Sequence, residues 1–402
     1  MRLPIPVLPD RWASAPAKAL FERVRRPPQA TDGIVTAFRD GQVTLRDNRR
    51  TEGFTNAIEE LGYQGVRRGE LVIHSMDGFA GAIGVSADDG KVSPVVHCYK
   101  SLESADARYY AYLLRHLALC GYITSLAKGI RERSTAFDAE TFGALVLPVP
   151  ILTEQRAIAD YLDAETARID ALIEKRQQII ELLEERLIRM ASDLVETGPE
   201  VQVRHLTSLI TSGPRGWADC VSYEGTPFIR SANLQRESIE IRLDDMAHVT
   251  VAPSAEAQRS SVRAGDVLVG ITGANTGWVG LVPTELAGAF VSQHVAILRP
   301  KIVTPEWLAN SLVSNKTRDR LLGGQYGGTK QQLGLENLAE LRIRVPPLME
   351  QRARGQQVSR YRSLHNRLIA RLGEESRLLQ ERRQALITAA VTGEVKVPEV
   401  AA

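Results

Sequence analysis

The chain is poor in the features that mark secreted, metal-built or membrane-embedded proteins. It has three cysteines in 402 residues, Cys98, Cys120 and Cys220. They are too few and too widely spaced for a disulfide framework or a zinc cluster, and such usage suits a reducing compartment; all three are expected to be packing residues. No segment approaches the roughly 18 uninterrupted apolar residues of a membrane-spanning helix. The opening stretch MRLPIPVLPDRW has no long apolar run behind Arg2, so no leader peptide is expected, and the expected location is cytoplasmic. His74, His97, His116, His205, His248, His294 and His365 show no paired metal-ligand spacing, so no metal site is expected. Charge of one sign is also missing. The net charge is +2 with pI near 8.4, so a nucleic-acid surface has to be local rather than a property of the whole chain.

What is present is a tandem repeat. Residues 69–193 read as a first copy of 265–389 at a constant offset of 196, with no gap required. Val149, Pro150, Ile151, Leu152, Thr153, Glu154, Gln155, Arg156 and Ala157 meet Val345, Pro346, Pro347, Leu348, Met349, Glu350, Gln351, Arg352 and Ala353; seven of the nine pairs are identical. Gly69 and Glu70 meet Gly265 and Asp266. A period this long exceeds any solenoid unit, so each copy is a domain plus a connector. At 44% hydrophobic residues, each half can bury a core of its own.

Before each proline-rich junction the pattern is α+β. Turns at Gly69-Glu70 and Gly265-Asp266 lead into the apolar runs Leu71 to His74 and Val267 to Gly270, read as strands. Small-residue hairpins follow, and the second carries Trp278, expected in the core. Helices are expected around Ala107 to Ala118 and Glu306 to Arg320. After Pro148 and Pro150, and again after Pro346 and Pro347, the pattern becomes one long helix. The first has an apolar stripe at Leu162, Ile169, Leu172, Ile173, Ile179, Ile180, Leu183, Leu187 and Met190, and is stopped by Gly198 and Pro199. The second keeps Val358, Tyr361, Leu364, Leu368, Leu372, Leu379 and Leu386, interrupted by Gly355, Gly373, His365 and Ser376. Helices this long with a one-sided stripe need a partner, and connectivity makes their pairing antiparallel. At about 1.5 Å per residue they would form a rod of up to roughly 60 Å, a ruler able to read two half-sites about 34 to 36 Å apart on a duplex. The expected divisions are a domain at 1–150, a helix at 151–197, a domain at 198–347, a helix at 348–393 and a tail at 394–402, related by a pseudo-twofold.

The two Pro-to-Glu-Gln junctions, Pro150 to Gln155 and Pro346 to Gln351, each following a Gly-Glu/Asp domain and leading into a charged helix, resemble the specificity subunit of type I restriction-modification enzymes. The resemblance covers nearly the whole chain. It implies two target-recognition domains, each reading one half of a split sequence in double-stranded DNA. It also implies two helices that dock two methyltransferase subunits and, through them, restriction motor-nuclease subunits. No cofactor is then expected in this chain, S-adenosylmethionine belonging to the methyltransferase. Docking is assigned to Glu154, Gln155, Arg156, Glu350, Gln351 and Arg352.

Base reading is expected where the copies differ. The loop bearing Lys128, Arg131 and Arg133 aligns with the one bearing Gln325, Tyr326, Lys330 and Gln331; arginine pairs bidentately with guanine and glutamine with adenine, although a solvated loop has the same composition. Arg46, Arg49, Arg50 and Arg230, with Asn233, are candidates for DNA contact, phosphate contacts fixing position without specifying sequence, or alternatively an ordinary exposed face. Catalysis is not expected. The run Gly323 to Lys330 lacks the Gly-Lys-Ser/Thr order of a phosphate loop, no Asn/Asp-Pro-Pro-aromatic run is present, and the carboxylates near Asp219 to Glu224 and Glu394 have only chance spacing. A stand-alone sequence-specific DNA-binding regulator is the alternative, and a coiled-coil scaffold a third. A regulator has no need of two Glu-Gln-Arg-Ala junctions, and a scaffold has no need of loops that differ between copies.

Overall fold

The computed structural model describes residues 9–49, 61–126, 137–222, 224–236, 238–322 and 332–397. The chain forms two compact units. Unit 1 is Met1–Lys175 with Glu375–Ala402, and unit 2 is Arg176–Glu374. The division falls inside both long helices, Leu152–Val195 and Leu348–Val391, rather than at their proline junctions. The first helix enters a core in each unit, through Ile158, Ala159 and Leu162 in unit 1 and Val195 in unit 2, and the second enters the unit 1 core through Ile387, Ala390 and Val391.

Unit 1 is built on a four-stranded antiparallel sheet in the order Phe21–Val24, Val96–Ser101, Leu71–His74, Ile83–Val85. Its centre shows why a short unbroken apolar run makes a strand here. Successive side chains leave opposite faces, so Leu71 and Ile73 enter one core with the helix Ala107–Leu119, while Val72 and Cys98 enter a second with Val35, Val43, Val66 and Val92. Burial on both faces removes the need for alternation. The helix begins at Asp106, whose carboxylate accepts from the N–H groups of Arg108 and Tyr109, a capping arrangement that satisfies otherwise orphaned donors. It buries Tyr109, Tyr110, Leu113, Leu114 and Leu117 completely, each worth about 1.5–3 kcal/mol of transfer free energy.

Unit 2 repeats the plan. Its sheet runs Thr207–Ser212, Val295–Pro300, Val267–Gly270, Val279–Leu281, and again Val267 and Val269 face one core while Leu268 faces another. In both units a strand ahead of the sheet pairs with the strand entering the junction: Ala13–Pro16 with Val146–Val149, and Glu200–Gln202 with Arg342–Arg344. The fold is α+β, a duplicated α/β domain with long helices.

Three expectations need correction. The offset is not constant: it is 196 through Val279–Leu281, 199 at Val295–Pro300, 198 at Pro305–Val313 and 196 again from Leu335–Glu340. The loop after Leu281 is three residues longer than that after Val85, and holds a short strand, Phe290–Val291, that completes a second sheet in unit 2. The basic helix of unit 2 is two helices, Pro305–Val313 and Asn315–Leu322, broken where Ser314 turns to extended backbone at φ −57° and ψ 139°. Of the cysteines only Cys98 is buried, Cys120 and Cys220 being exposed. Trp278 is half-buried against the second core of unit 2, as expected.

Within unit 1 the long helices run antiparallel. Asp170 accepts from Arg383 at 2.9 Å, and farther along Ile158, Ala159 and Leu162 share a core with Ile387, Ala390 and Val391. Within unit 2 the end of the first helix meets the start of the second, Arg354 donating to the Leu194 carbonyl at 3.4 Å. The apolar stripes are buried only near the domains. Leu172, Ile179, Leu182, Leu364, Leu368 and Leu378 are between 40% and 63% exposed. Gly198, at φ +90°, lets the chain leave the first helix where a Cβ would lie 2.6 Å from the Pro346 nitrogen.

Candidate nucleic-acid interface and junctions

At each junction the glutamine shared by the two copies is an internal side chain. Gln155 is fully buried and Gln351 is 2% exposed. The Gln155 oxygen accepts from the Asp106 N–H at 2.9 Å, and its nitrogen donates to the carbonyls of Pro150 at 2.8 Å and Ser104 at 2.9 Å. Gln351 accepts from the Thr304 N–H at 3.0 Å and donates to the Pro346 carbonyl at 2.8 Å. Asp106 and Thr304 are the N-caps of equivalent helices. A carboxamide alone among side chains of this length carries donor and acceptor together without charge, which explains the choice. The assignment of Gln155 and Gln351 to partner docking is therefore corrected: they fasten each long helix to its own domain.

The other junction residues divide by exposure. Glu154 pairs with Arg11 at 2.6 Å and accepts from the Trp12 indole at 3.1 Å. Glu350 pairs with Arg354 one turn on, at 2.8 Å. Arg156 and Arg352 are exposed and present their guanidinium groups to the surface. A second fastening in unit 1 comes from Arg108, which bonds Asp160 at 2.7 Å and Asp163 at 2.9 Å.

The turns entering the two sheets are built alike. Glu70 accepts from the Arg67 N–H and pairs with Arg26; Asp266 accepts from the Arg263 N–H at 2.8 Å and takes both arms of Arg299 at 2.9 and 2.7 Å. The Asp266 bond raises the Arg299 pKa, outweighing burial, which acts the other way. The carboxylate position is repeated, whereas its cation comes from a different strand.

Among the candidate DNA-contacting residues, Arg46 sits half-buried in the turn Arg46–Asn48, engaged with its own chain. Arg49 pairs with Asp40 at 2.6 Å and lies over the Phe38 ring, 4.2 Å from its centroid. Arg230 reaches the carbonyl and carboxylate of Asp245 at 3.1 and 3.3 Å, and Asp245 itself adopts φ 65°. These arginines are held in fixed poses with part of each side chain exposed. Asn233 is corrected: it is 2% exposed, its oxygen accepting from the Arg230 N–H and its nitrogen donating to the Arg242 carbonyl. It shapes the turn that presents Arg230 and offers no free edge to a base. Arg50, Lys128, Arg131, Arg133, Gln325, Tyr326, Lys330 and Gln331 lie outside the described residues. No group of three or more potential metal ligands occurs among the described residues, and none of their helices is long and apolar enough to cross a membrane.

Residues 218–374 match the type I restriction modification DNA specificity domain. The chain is similar to the type I restriction enzyme EcoBI specificity subunit of Escherichia coli, 23% identical over 286 residues. That alignment covers 62% of this chain and spans 58% of the Escherichia coli protein's length. Among solved structures, a chain from work on complex assembly and conformational transition of the type I R-M system superposes with TM-score 0.75 at 17% identity, over 97% of this chain and 100% of that one. The HsdS subunit of Thermoanaerobacter tengcongensis superposes with TM-score 0.56 at 17% identity, over 97% and 99%.

Proposed function

We propose that the chain is a specificity subunit of the type I restriction-modification kind and recognises a bipartite sequence in double-stranded DNA, one domain reading each half. The observation that carries this reading is duplication with divergence. Both units keep the same sheet order, the same capped helix and the same glutamine fastening, while the aligned loops at 128–135 and 324–331 differ in chemistry. A repeated scaffold with unlike loops suits a reader of two unlike half-sites.

In this reading Arg46, Arg49 and Arg230 are backbone-positioning contacts, held ready by Asp40, Phe38 and Asp245. Arg156 in unit 1 and Arg352 in unit 2, each with the exposed apolar residues of the long helices in its own unit, provide one docking surface apiece for two methyltransferase subunits, and restriction motor-nuclease subunits join through these. The protein itself is not an enzyme. S-adenosylmethionine binds the methyltransferase, and the assembly works in the cytoplasm.

Binding of this chain, reconstituted with its methyltransferase, to duplexes mutated in one half-site or the other tests the reading. Lys330→Ala is expected to change discrimination at one half-site only. A base contact is worth about 1–3 kcal/mol, so the expected loss of discrimination is about 5- to 150-fold. Equal loss at both halves, or none, contradicts it.

A further inference from the structure

Equivalent places in the two units hold clefts of unlike charge. In unit 1 a cavity of about 430 Å³ lies between the edge strand Ile83–Val85, the helix Ala107–Leu119 and the long helices, walled by Arg68, Asp40, Arg108, Arg115, Asp163 and Arg383. In unit 2 a cavity of about 800 Å³ lies beside the matching strand Val279–Leu281, walled by Glu240, Glu285, Glu306, Arg362 and Arg367. Gly69, Val85 and Asp163 of the first correspond, at the repeat offset, to Gly265, Leu281 and Ser359 of the second.

The charges in unit 1 can be assigned one by one. Asp40 is taken by Arg49 at 2.6 Å, Asp163 by Arg108 at 2.9 Å and by the Tyr112 hydroxyl at 2.8 Å, and Asp170 by Arg383 at 2.9 Å. Arg115 remains. Among the described residues it forms no ion pair, and the hydrogen bond it makes runs to the Arg39 carbonyl at 3.4 Å. Its guanidinium occupies a place cleared by Gly41, where φ is +92° and a Cβ would stand 1.8 Å from Nη1. Burial and then the neighbouring Arg383 hold the Arg115 pKa below its ordinary value, outweighing the opposite pull of Asp40, Tyr112 and Asp170. Arg68, exposed on the same wall, likewise has no ion pair among the described residues. A partly buried cation that makes no direct ion pair is incompletely compensated, and a planar fork of donors lining an open cavity fits an oxyanion.

We propose that the unit 1 cleft binds a phosphate-class oxyanion, gripped by Arg115 with Arg68 on the wall beside it. The unit 2 cleft, with three glutamates against two arginines and with Arg362 already donating to Asn310 at 2.9 Å, does not bind one and serves as a control within the same chain.

The test is calorimetric titration of the full chain with inorganic phosphate at constant ionic strength. The wild type is expected to bind at one site, Arg115→Met to weaken binding by about tenfold or more, the scale of one lost charge-assisted contact, and Arg362→Met to leave it unchanged. Arg68→Ala, at an exposed position that folding tolerates, is expected to weaken binding severalfold. Absence of phosphate binding by the wild type, or equal binding by the wild type, Arg115→Met and Arg68→Ala, overturns the proposal. A short duplex that displaces the Arg115-dependent phosphate identifies the natural source as a nucleic-acid backbone, whereas failure to displace it identifies a free anion.

Discussion

The carboxamide oxygen of Gln155 accepts the backbone N–H of Asp106 at 2.9 Å, tying the first turn of a 44-residue helix to the cap of the domain helix it crosses. Gln351 and Thr304 repeat the contact in unit 2. Gln155→Leu keeps much of the volume but strands the Asp106 donor and the Pro150 and Ser104 acceptors. A loss of about 3 kcal/mol is expected on unfolding by urea, since each stranded buried group costs on the order of 1–3 kcal/mol. A change below about 1 kcal/mol contradicts the fastening role.

Arg299 and Asp266 give a second expectation. The Asp266 side chain is 2% exposed, so Arg299→Met leaves a carboxylate buried without its cation. Removing one partner of such a pair typically costs about 3–5 kcal/mol. The expected result is an early unfolding transition of unit 2 with unit 1 unaffected; unchanged melting of unit 2 counts against the pairing.

Acid sensitivity should be concentrated in unit 1. Burial, reinforced by Arg23 and Arg25, pushes His97 down to about 4, and burial also lowers His74 and His116. The unfolded chain takes up a proton on His97 below its ordinary value of 6.5, and the folded chain does so only near 4. Stability is therefore full above 6.5 and falls as the pH drops from 6.5 toward 4. The difference in stability between wild type and His97→Gln, measured by denaturation at several pH values, is expected to shrink through that window. A constant difference would show that His97 titrates normally.

The cysteines test burial directly. Cys98, on the strand Val96–Ser101, is buried in the second core of unit 1, and its thiol is pushed up to about 12, chiefly by burial and then by Glu70. Iodoacetamide should modify Cys120 and Cys220 in the folded protein and reach Cys98 only after unfolding, as the thiolate is the reactive form. Mass spectrometry showing Cys98 labelled as quickly as Cys120 contradicts the placement.

Much of this architecture is legible in the residues, and the exceptions have physical causes. The strands at Leu71 and Val267 and the start of each long helix are announced by a glycine turn or a proline junction, signals that act locally. The break at Ser314 is announced only weakly, because a serine favours a helix start but nothing in Val313 to Lys316 forbids continuing the helix. The three-residue loop difference after Leu281 hides inside an alignment kept in register on both sides. Gln155 is the most instructive case. A repeated polar residue beside Glu and Arg reads as surface, and only the placement of Asp106, 49 positions away in sequence, makes it a buried lock. Asn233 is misread in the same way, its partners Arg230 and Arg242 being brought together by the turn.

The central claim, that the chain selects a split DNA sequence for methylation, is tested most directly by single-molecule sequencing of modified bases across the genome of the native host, with and without this chain. The expected result is one motif of two short specified halves around a fixed unspecified spacer, present in the parent and absent from the deletion. An unchanged set of modified motifs, in a host whose methyltransferase partner is expressed, would contradict it.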